Sequence, residues 1–133
     1  MSVVETRRRL ERLHACAGRR SATVWWWTVG TGAALLLLVP VHMVAHHFVV
    51  DEVGGLRTYH QVLEYVSNPL ILTVECLLLV AVTIHAMLGV RGVLFDFDLR
   101  PSRRRLVDLG LWALGAMTVL YGFVLLGVLA WRA

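Results

Sequence analysis

Charge is scarce in this chain of 133 residues, and two long stretches have none. Charged residues make up 17% of the sequence and hydrophobic residues 58%. Soluble domains average about 25% charged residues and roughly 45–50% apolar residues. Neither residues 21–50 nor residues 109–131 contain a charge. Both stretches are longer than the roughly 20 residues that a helix needs to cross the hydrocarbon core of a bilayer. The sequence therefore predicts a membrane protein, and its length disfavours a pump or channel that needs many spans in one chain.

Lysine is absent, and the basic charge comes from thirteen arginines that are grouped along the chain. Six lie in residues 1–20 and five lie from Arg91 to Arg105. Basic residues collect in the cytoplasmic loops of membrane proteins. We therefore expect a multi-pass protein of the cytoplasmic (inner) membrane with its N-terminus inside and its C-terminus outside. The net charge of +4 indicates topology and attraction to the lipid bilayer or a docked partner, and no nucleic-acid partner is expected.

Hydropathy predicts an all-α membrane protein in which residues 1–133 form one anchor domain with three transmembrane helices. The spans are expected at about 24–48, 70–92 and 106–131. Asn68 followed by Pro69 is typical of a helix start, because Asn caps the first turn and proline needs no hydrogen bond there.

The sequence also predicts smaller features around these spans. A short amphipathic helix is expected over residues 4–15, and a kink is expected at Pro40. A second short helix is expected over residues 56–66, with one apolar face formed by Leu56, Tyr59, Val62, Leu63 and Val66. In the third span a face of small residues would let a neighbouring helix approach closely; it consists of Gly115, Thr118 and Gly122.

Ionisable groups inside a membrane span are costly and usually face a partner or a cofactor. Four histidines in the predicted spans are of this kind, His42, His46, His47 and His85, and so is the acid Glu75. His42 and His46 share a helix face, and His85 precedes by four residues Gly89, whose missing side chain leaves room for a flat macrocycle. Histidine is a common haem ligand, and two axial imidazoles leave no open position on the iron. The pattern favours an electron-transfer haem site.

Depth separates the two candidate ligands. At about 1.5 Å per residue, His42 lies roughly 10 Å or less from the outer boundary and His85 lies about 22 Å from it. They cannot share one iron. If both are ligands, each needs a second histidine from another chain, and two haems would be stacked across the membrane.

Residues 85–97, HAMLGVRGVLFDF, resemble the second-helix signature of the membrane-anchor subunits of succinate dehydrogenase and fumarate reductase. The resemblance implies that His85 ligates haem b on the side of the iron–sulfur subunit. In two-haem members a first-helix histidine resembling His42 ligates the outer haem. We expect His46 or His47 to act there as a propionate or water partner.

One position departs from the family pattern. Its quinone-binding tyrosine is Phe97 here, and phenylalanine has no hydroxyl to donate. The inner quinone site then uses Asp96 with residues of a sister subunit, or lies elsewhere, or takes a different quinone. Asp96 has a second interpretation as part of an exposed ion-pair cluster with Arg91 and Arg100. Arg91 is either a topology anchor or a propionate partner, and Glu75 either hydrogen-bonds a neighbouring helix or transfers protons at an outer quinone site.

The resemblance implies the D-type anchor of a four-subunit complex, with the C-type anchor as the other choice. A flavoprotein subunit would oxidise succinate in the tricarboxylic acid cycle, and an iron–sulfur subunit would dock on the arginine-rich face. This chain and a sister anchor subunit would form a helix bundle that binds haem b and a quinone, either menaquinone or ubiquinone. The chain alone is then no enzyme. Two alternatives remain open: a separately partnered b-type cytochrome, and a small membrane protein that binds a non-haem metal through His42, His46, His47 and Glu75.

Overall fold

The computed structural model describes residues 3–48, 58–97 and 100–133, and this part of the chain is helical. It contains four helices: α1 (Val3–Phe48), α2 (Tyr59–Ser67), α3 (Pro69–Asp96) and α4 (Pro101–Arg132). Three segments are long and apolar enough to cross a membrane: Ala22–His46, Pro69–Asp96 and Ser102–Arg132. The predicted class, an all-α protein with three membrane-spanning helices, is confirmed.

Helix α1 is continuous, so the expectation of a separate short helix over residues 4–15 is wrong. The sequence explains the continuity, because arginine, leucine and alanine are good helix formers and no proline occurs before Pro40. The chain also remains helical through Pro40 as far as Phe48. Proline removes one backbone hydrogen bond, a loss that membrane helices tolerate when neighbouring groups satisfy the freed carbonyl.

The start of α3 follows the predicted capping pattern. The side-chain oxygen of Asn68 accepts hydrogen bonds from the backbone N–H groups of Leu70 at 2.9 Å and Ile71 at 3.4 Å. Pro69 occupies the first helical position. Because this cap ends α2 and begins α3 at one residue, the two helices are joined without a loop and α2 is held against the bundle.

Helix α2 covers one end of the bundle. Its buried residues Tyr65 and Val66 form a small core with Ile71 of α3. Five partly buried residues from all four helices pack on this core: Ala45 of α1, Val62 of α2, Leu72 of α3, and Leu129 and Ala130 of α4. The predicted apolar face is therefore correct at Val62 and Val66. It is wrong at Tyr59, which is exposed at the first residue of α2; the buried tyrosine of this helix is Tyr65. Leu56 lies outside the described residues.

Helices α3 and α4 pack closely at two glycines. A Cβ atom on Gly115 would lie 3.2 Å from Cγ of Met87, and one on Gly122 would collide with the side chain of Leu79. These two positions of the predicted small-residue face are used as expected. Thr118 is exposed, and its hydroxyl donates to the carbonyl of Leu114 in its own helix.

We expect Gly122→Leu to destabilise the α3–α4 pair by about 1–3 kcal/mol, the usual cost of overpacking. The matched control is Gly127→Leu in the same helix, because nothing in the described chain lies within 4 Å of a Cβ at Gly127. The gain in helix propensity is the same for both variants, so their difference isolates the contact with Leu79. Thermal unfolding of the purified protein measures it, and equal stability of the two variants would contradict this packing.

Candidate functional site

An acid in the second span joins three helices. Oε1 of Glu75 in α3 lies 2.6 Å from Nδ1 of His42 in α1 and 2.6 Å from the hydroxyl oxygen of Tyr65 in α2. The Tyr65 hydroxyl donates to this oxygen, and His42 donates to it as well when its ring proton is on Nδ1. In neutral His42 the other ring nitrogen, Nε2, then keeps its lone pair.

His46 extends this group by one helical turn. Its ring centroid lies 5.1 Å from that of His42 and 5.1 Å from that of Tyr65. We call His42, His46, Tyr65 and Glu75 the outer cluster. The side chain of His47 lies outside the described residues. The sequence pattern indicated the two histidines and Glu75 as site residues, but not Tyr65. The position of Tyr65 between Val62 and Val66, on the apolar face of α2, was a signal that its side chain points inward.

A second polar contact joins α1 and α3 nearer the other end of the bundle. Nδ1 of His85 lies 3.1 Å from Oγ1 of Thr31. The Thr31 hydroxyl has one proton, which it donates to the carbonyl oxygen of Trp27 at 2.7 Å. With that proton on the backbone, the Thr31 oxygen accepts from His85 when the ring proton is on Nδ1, and Nε2 of His85 then keeps its lone pair. We call Thr31 and His85 the inner pair.

A glycine of α1, Gly32, and an apolar groove lie beside the inner pair. A Cβ atom on Gly32 would lie 3.3 Å from Cε1 of His85, so this glycine lets the imidazole lie against α1. Thr31 also lines an apolar groove of about 550 Å³ along one face of α1, with Thr23, Trp26, Trp27, Gly30 and Ala34. Gly89, the expected gap beside His85, is exposed with no described atom within 4 Å of a Cβ there.

The inner pair and the outer cluster lie at different levels. Glu75 and His85 are ten residues apart in α3, which corresponds to about 15 Å along the helix axis. Thr31 and His42 are eleven residues apart in α1 and pair in the reverse order, so the two helices are antiparallel. One metal ion therefore cannot bind both His42 and His85.

The ends of α3 and α4 that flank residues 98–99 carry an ion pair. Nε of Arg91 donates to Oδ1 of Asp108 at 2.6 Å, and its guanidinium lies 4.3 Å from the ring centroid of Phe95. The guanidinium of Arg104 lies 5.5 Å from the same ring. Such cation–ring contacts are favourable. The sequence pattern did not indicate Asp108 or Phe95 as a partner of Arg91. The sequence of one helix does not specify which residues of a neighbouring helix face it.

Asp96 does not form the ion pair with Arg91 that one interpretation of the sequence expected. Arg91 pairs with Asp108 instead, and Asp96 is exposed. The reason is geometric, since residues five apart on a helix point to different sides. Phe97 caps α3 and is 72% exposed.

No group of three or more His, Cys, Asp or Glu side chains in the described part of the chain is arranged to hold a metal ion. A metal bound here through protein ligands alone would need further ligands from another chain or from residues outside the described ranges. A cofactor that takes only one histidine ligand from this chain at each level does not need a group of three ligands within the chain.

Comparison with known proteins decides the family. The family model of the succinate dehydrogenase/fumarate reductase transmembrane subunit matches residues 5–129. The chain belongs to this family. It is also similar to the succinate dehydrogenase hydrophobic membrane anchor subunit of Archaeoglobus fulgidus, with 30% identity over 102 residues, which are 77% of this chain and 85% of that protein. No solved structure gives a significant match.

This transmembrane subunit should show energetic coupling between Arg91 and Asp108. In a double-mutant cycle with Arg91→Gln and Asp108→Asn, we expect a coupling energy of up to about 1 kcal/mol, the range for partly exposed ion pairs. Thermal unfolding provides the measurement. The control cycle pairs Arg91→Gln with Asp96→Asn and should give no coupling. Stronger coupling to Asp96 than to Asp108 would contradict the observed pairing.

Proposed function

We propose that this chain is the D-type hydrophobic membrane anchor of a succinate:quinone oxidoreductase, complex II, in which it helps to pass electrons from an iron–sulfur subunit to membrane quinone. The observation that carries this proposal is the placement of two histidines. Nδ1 of His85 and Nδ1 of His42 each lie within hydrogen-bond distance of an oxygen of the same chain, at two levels of the bundle, which leaves Nε2 of each ring to bind a metal. The Archaeoglobus relative, which is named a succinate dehydrogenase hydrophobic membrane anchor subunit, supports the assignment as a membrane anchor.

The donor set fits haem b. An imidazole nitrogen is a common axial ligand of haem iron, and metal-ligating histidines usually donate their other N–H to a carboxylate or another oxygen that fixes the ring. Thr31 takes this part for His85, and Glu75 takes it for His42. Haem bound at these levels supplies one-electron redox chemistry between the two faces of the membrane. Because each level offers one such histidine among the described residues, a second histidine ligand would come from a sister anchor subunit.

The exposed surface supports a sister subunit. The groove beside Thr31 is apolar and open, and two of its tryptophans, Trp26 and Trp27, are 66% and 58% exposed in the single chain. Leu36, on the same helix, is 77% exposed. Apolar helix faces of this kind are covered by lipid or by other helices. The groove is lined in part by Thr31, which lies against His85, so a partner helix that covers it would lie beside this histidine.

Arginines support the orientation and the docking of the iron–sulfur subunit. The first turns of α4 expose Arg100, Arg103 and Arg105, and six more arginines occur in residues 1–20. By the positive-inside rule these regions are cytoplasmic and the C-terminus is outside. The iron–sulfur subunit docks on this basic face and carries the flavoprotein subunit with it.

Quinone contacts are proposed at the cytoplasmic end of α3. Asp96 and Phe97 are both exposed, which supports a quinone site completed by the sister subunit. Arg91 bonds Asp108 through Nε, and its planar guanidinium is suited to binding a further carboxylate such as a haem propionate. At the outer level, Glu75 would act at a quinone site and His46 would be a propionate or water partner. Glu75 already forms hydrogen bonds with residues of two other helices.

The assembly is tested by purification from membranes through a tag on this chain. We expect flavin, iron–sulfur clusters and haem to copurify, with a b-type band in the reduced-minus-oxidised spectrum. A b-type band without flavin and iron–sulfur subunits would instead indicate a separately partnered cytochrome. Bound metal without such a band would indicate the non-haem alternative.

His85→Ala should remove the inner haem. We expect the haem content per complex to fall by one and the corresponding low-spin signal to disappear, because the variant has no Nε2 at that level. Haem quantification and reduced-minus-oxidised spectra measure this effect. His60→Ala is the matched control, since His60 is exposed on α2 and should keep all the haem. A normal spectrum in His85→Ala would overturn this ligand assignment.

His42→Ala should remove the outer haem and leave the inner one. The expected result is half the haem of the parent complex, with the signal lost in His85→Ala still present. The same spectra and haem quantification separate the two levels. A complex with one haem that His42→Ala leaves unchanged would reduce the proposal to a single inner site.

A further inference from the structure

The outer cluster has a feature that the inner pair lacks, a second donor on the acceptor of the histidine. Oε1 of Glu75 accepts a hydrogen bond from Tyr65 and lies equally close, 2.6 Å, to Nδ1 of His42, which carries the ring proton and donates to it when Nε2 binds iron. At the inner level, His85 donates to a hydroxyl oxygen. Two donors on one carboxylate oxygen share its negative charge, so each weakens the bond made by the other.

This sharing affects the opposite side of the His42 ring. A carboxylate that accepts from one imidazole nitrogen raises the basicity of the other, and such partners tune the metal that a histidine binds. A more basic ligand stabilises oxidised iron and lowers the midpoint potential. By taking part of the charge on Oε1, the Tyr65 hydroxyl weakens this effect and raises the potential.

We propose that Tyr65 of α2 is a positioning residue that, through Glu75, sets the midpoint potential of the haem held by His42. The inference rests on the proposed function, because it requires an outer haem. It gives the short helix α2 a role in electron transfer without a direct contact to the cofactor.

Packing holds the Tyr65 hydroxyl in place. The side chain belongs to the buried core that α2 forms with α3, and Tyr65 is 5% exposed. The ring of His46 lies against both Tyr65 and His42. The side chain of Glu75 is 15% exposed, so water competes little for its oxygen and the hydrogen bonds have more effect than they would at a surface.

The experiment is a redox titration of the haems in the intact complex, with haem content measured first. Tyr65→Phe removes only the hydroxyl, so Glu75 accepts more strongly from His42 and the outer midpoint potential should fall. Glu75→Gln leaves a neutral and weaker acceptor, so the outer potential should rise. Tyr59→Phe, the same change at an exposed position of α2, should shift neither haem. The inner haem serves as an internal reference in every variant.

The outcomes distinguish this inference from the proposed function. Retention of the outer haem in His42→Ala would overturn the ligand assignment and this inference with it. If His42→Ala removes the outer haem, the inference alone is overturned by an unchanged or raised potential in Tyr65→Phe. Should Tyr65→Phe fail to assemble, Glu75→Gln decides, because it keeps the packing of Tyr65; an unchanged or lowered potential in that variant overturns the inference.

Discussion

The antiparallel pairing of α1 with α3 places the two proposed haem ligands, His42 and His85, against the residues that orient them. Inside a bilayer a polar side chain has no water to bond, so its partner must come from the protein. Thr31 meets His85 near one end of the pair and His42 meets Glu75 near the other. Each contact satisfies a histidine on one ring nitrogen only. The same two contacts fix the relative height of the helices, since sliding one past the other by a turn would break both.

Helix α2 and the glycines of α4 hold α3 in the position that its pairing with α1 sets. Helix α2 closes the end of the bundle where α1, α3 and α4 come together, and its core residues carry Tyr65 to the acid at position 75. On the other side of α3, Gly115 and Gly122 let α4 approach closely. Helix α3 is therefore held on both sides, which keeps Glu75 and His85 in position without a large hydrophobic core.

Hydropathy, capping and residue chemistry predicted much of this arrangement from the sequence. The apolar helices, the cap at Asn68 and the family follow from patterns that are local in the chain. Local patterns could not indicate Tyr65, Thr31 or Asp108, because the role of each depends on a contact with a residue of another helix. The boundary of α1 was missed for the opposite reason: the change from charged to apolar sequence near residue 21 marks the membrane surface, but nothing there stops a helix.

The partners of the two histidines differ in kind, and this difference makes the two levels chemically unequal. The acceptor behind His85 is a hydroxyl that has already given its proton to the backbone of α1. The acceptor behind His42 is an acid that can carry a full negative charge. Since an anionic acceptor strengthens an imidazole as a metal ligand more than a neutral one does, an ionised Glu75 would make His42 the stronger ligand of the two. In the proposed site the hydroxyl of Tyr65 would reduce this inequality, and with it the difference in potential between two haems bound at these levels.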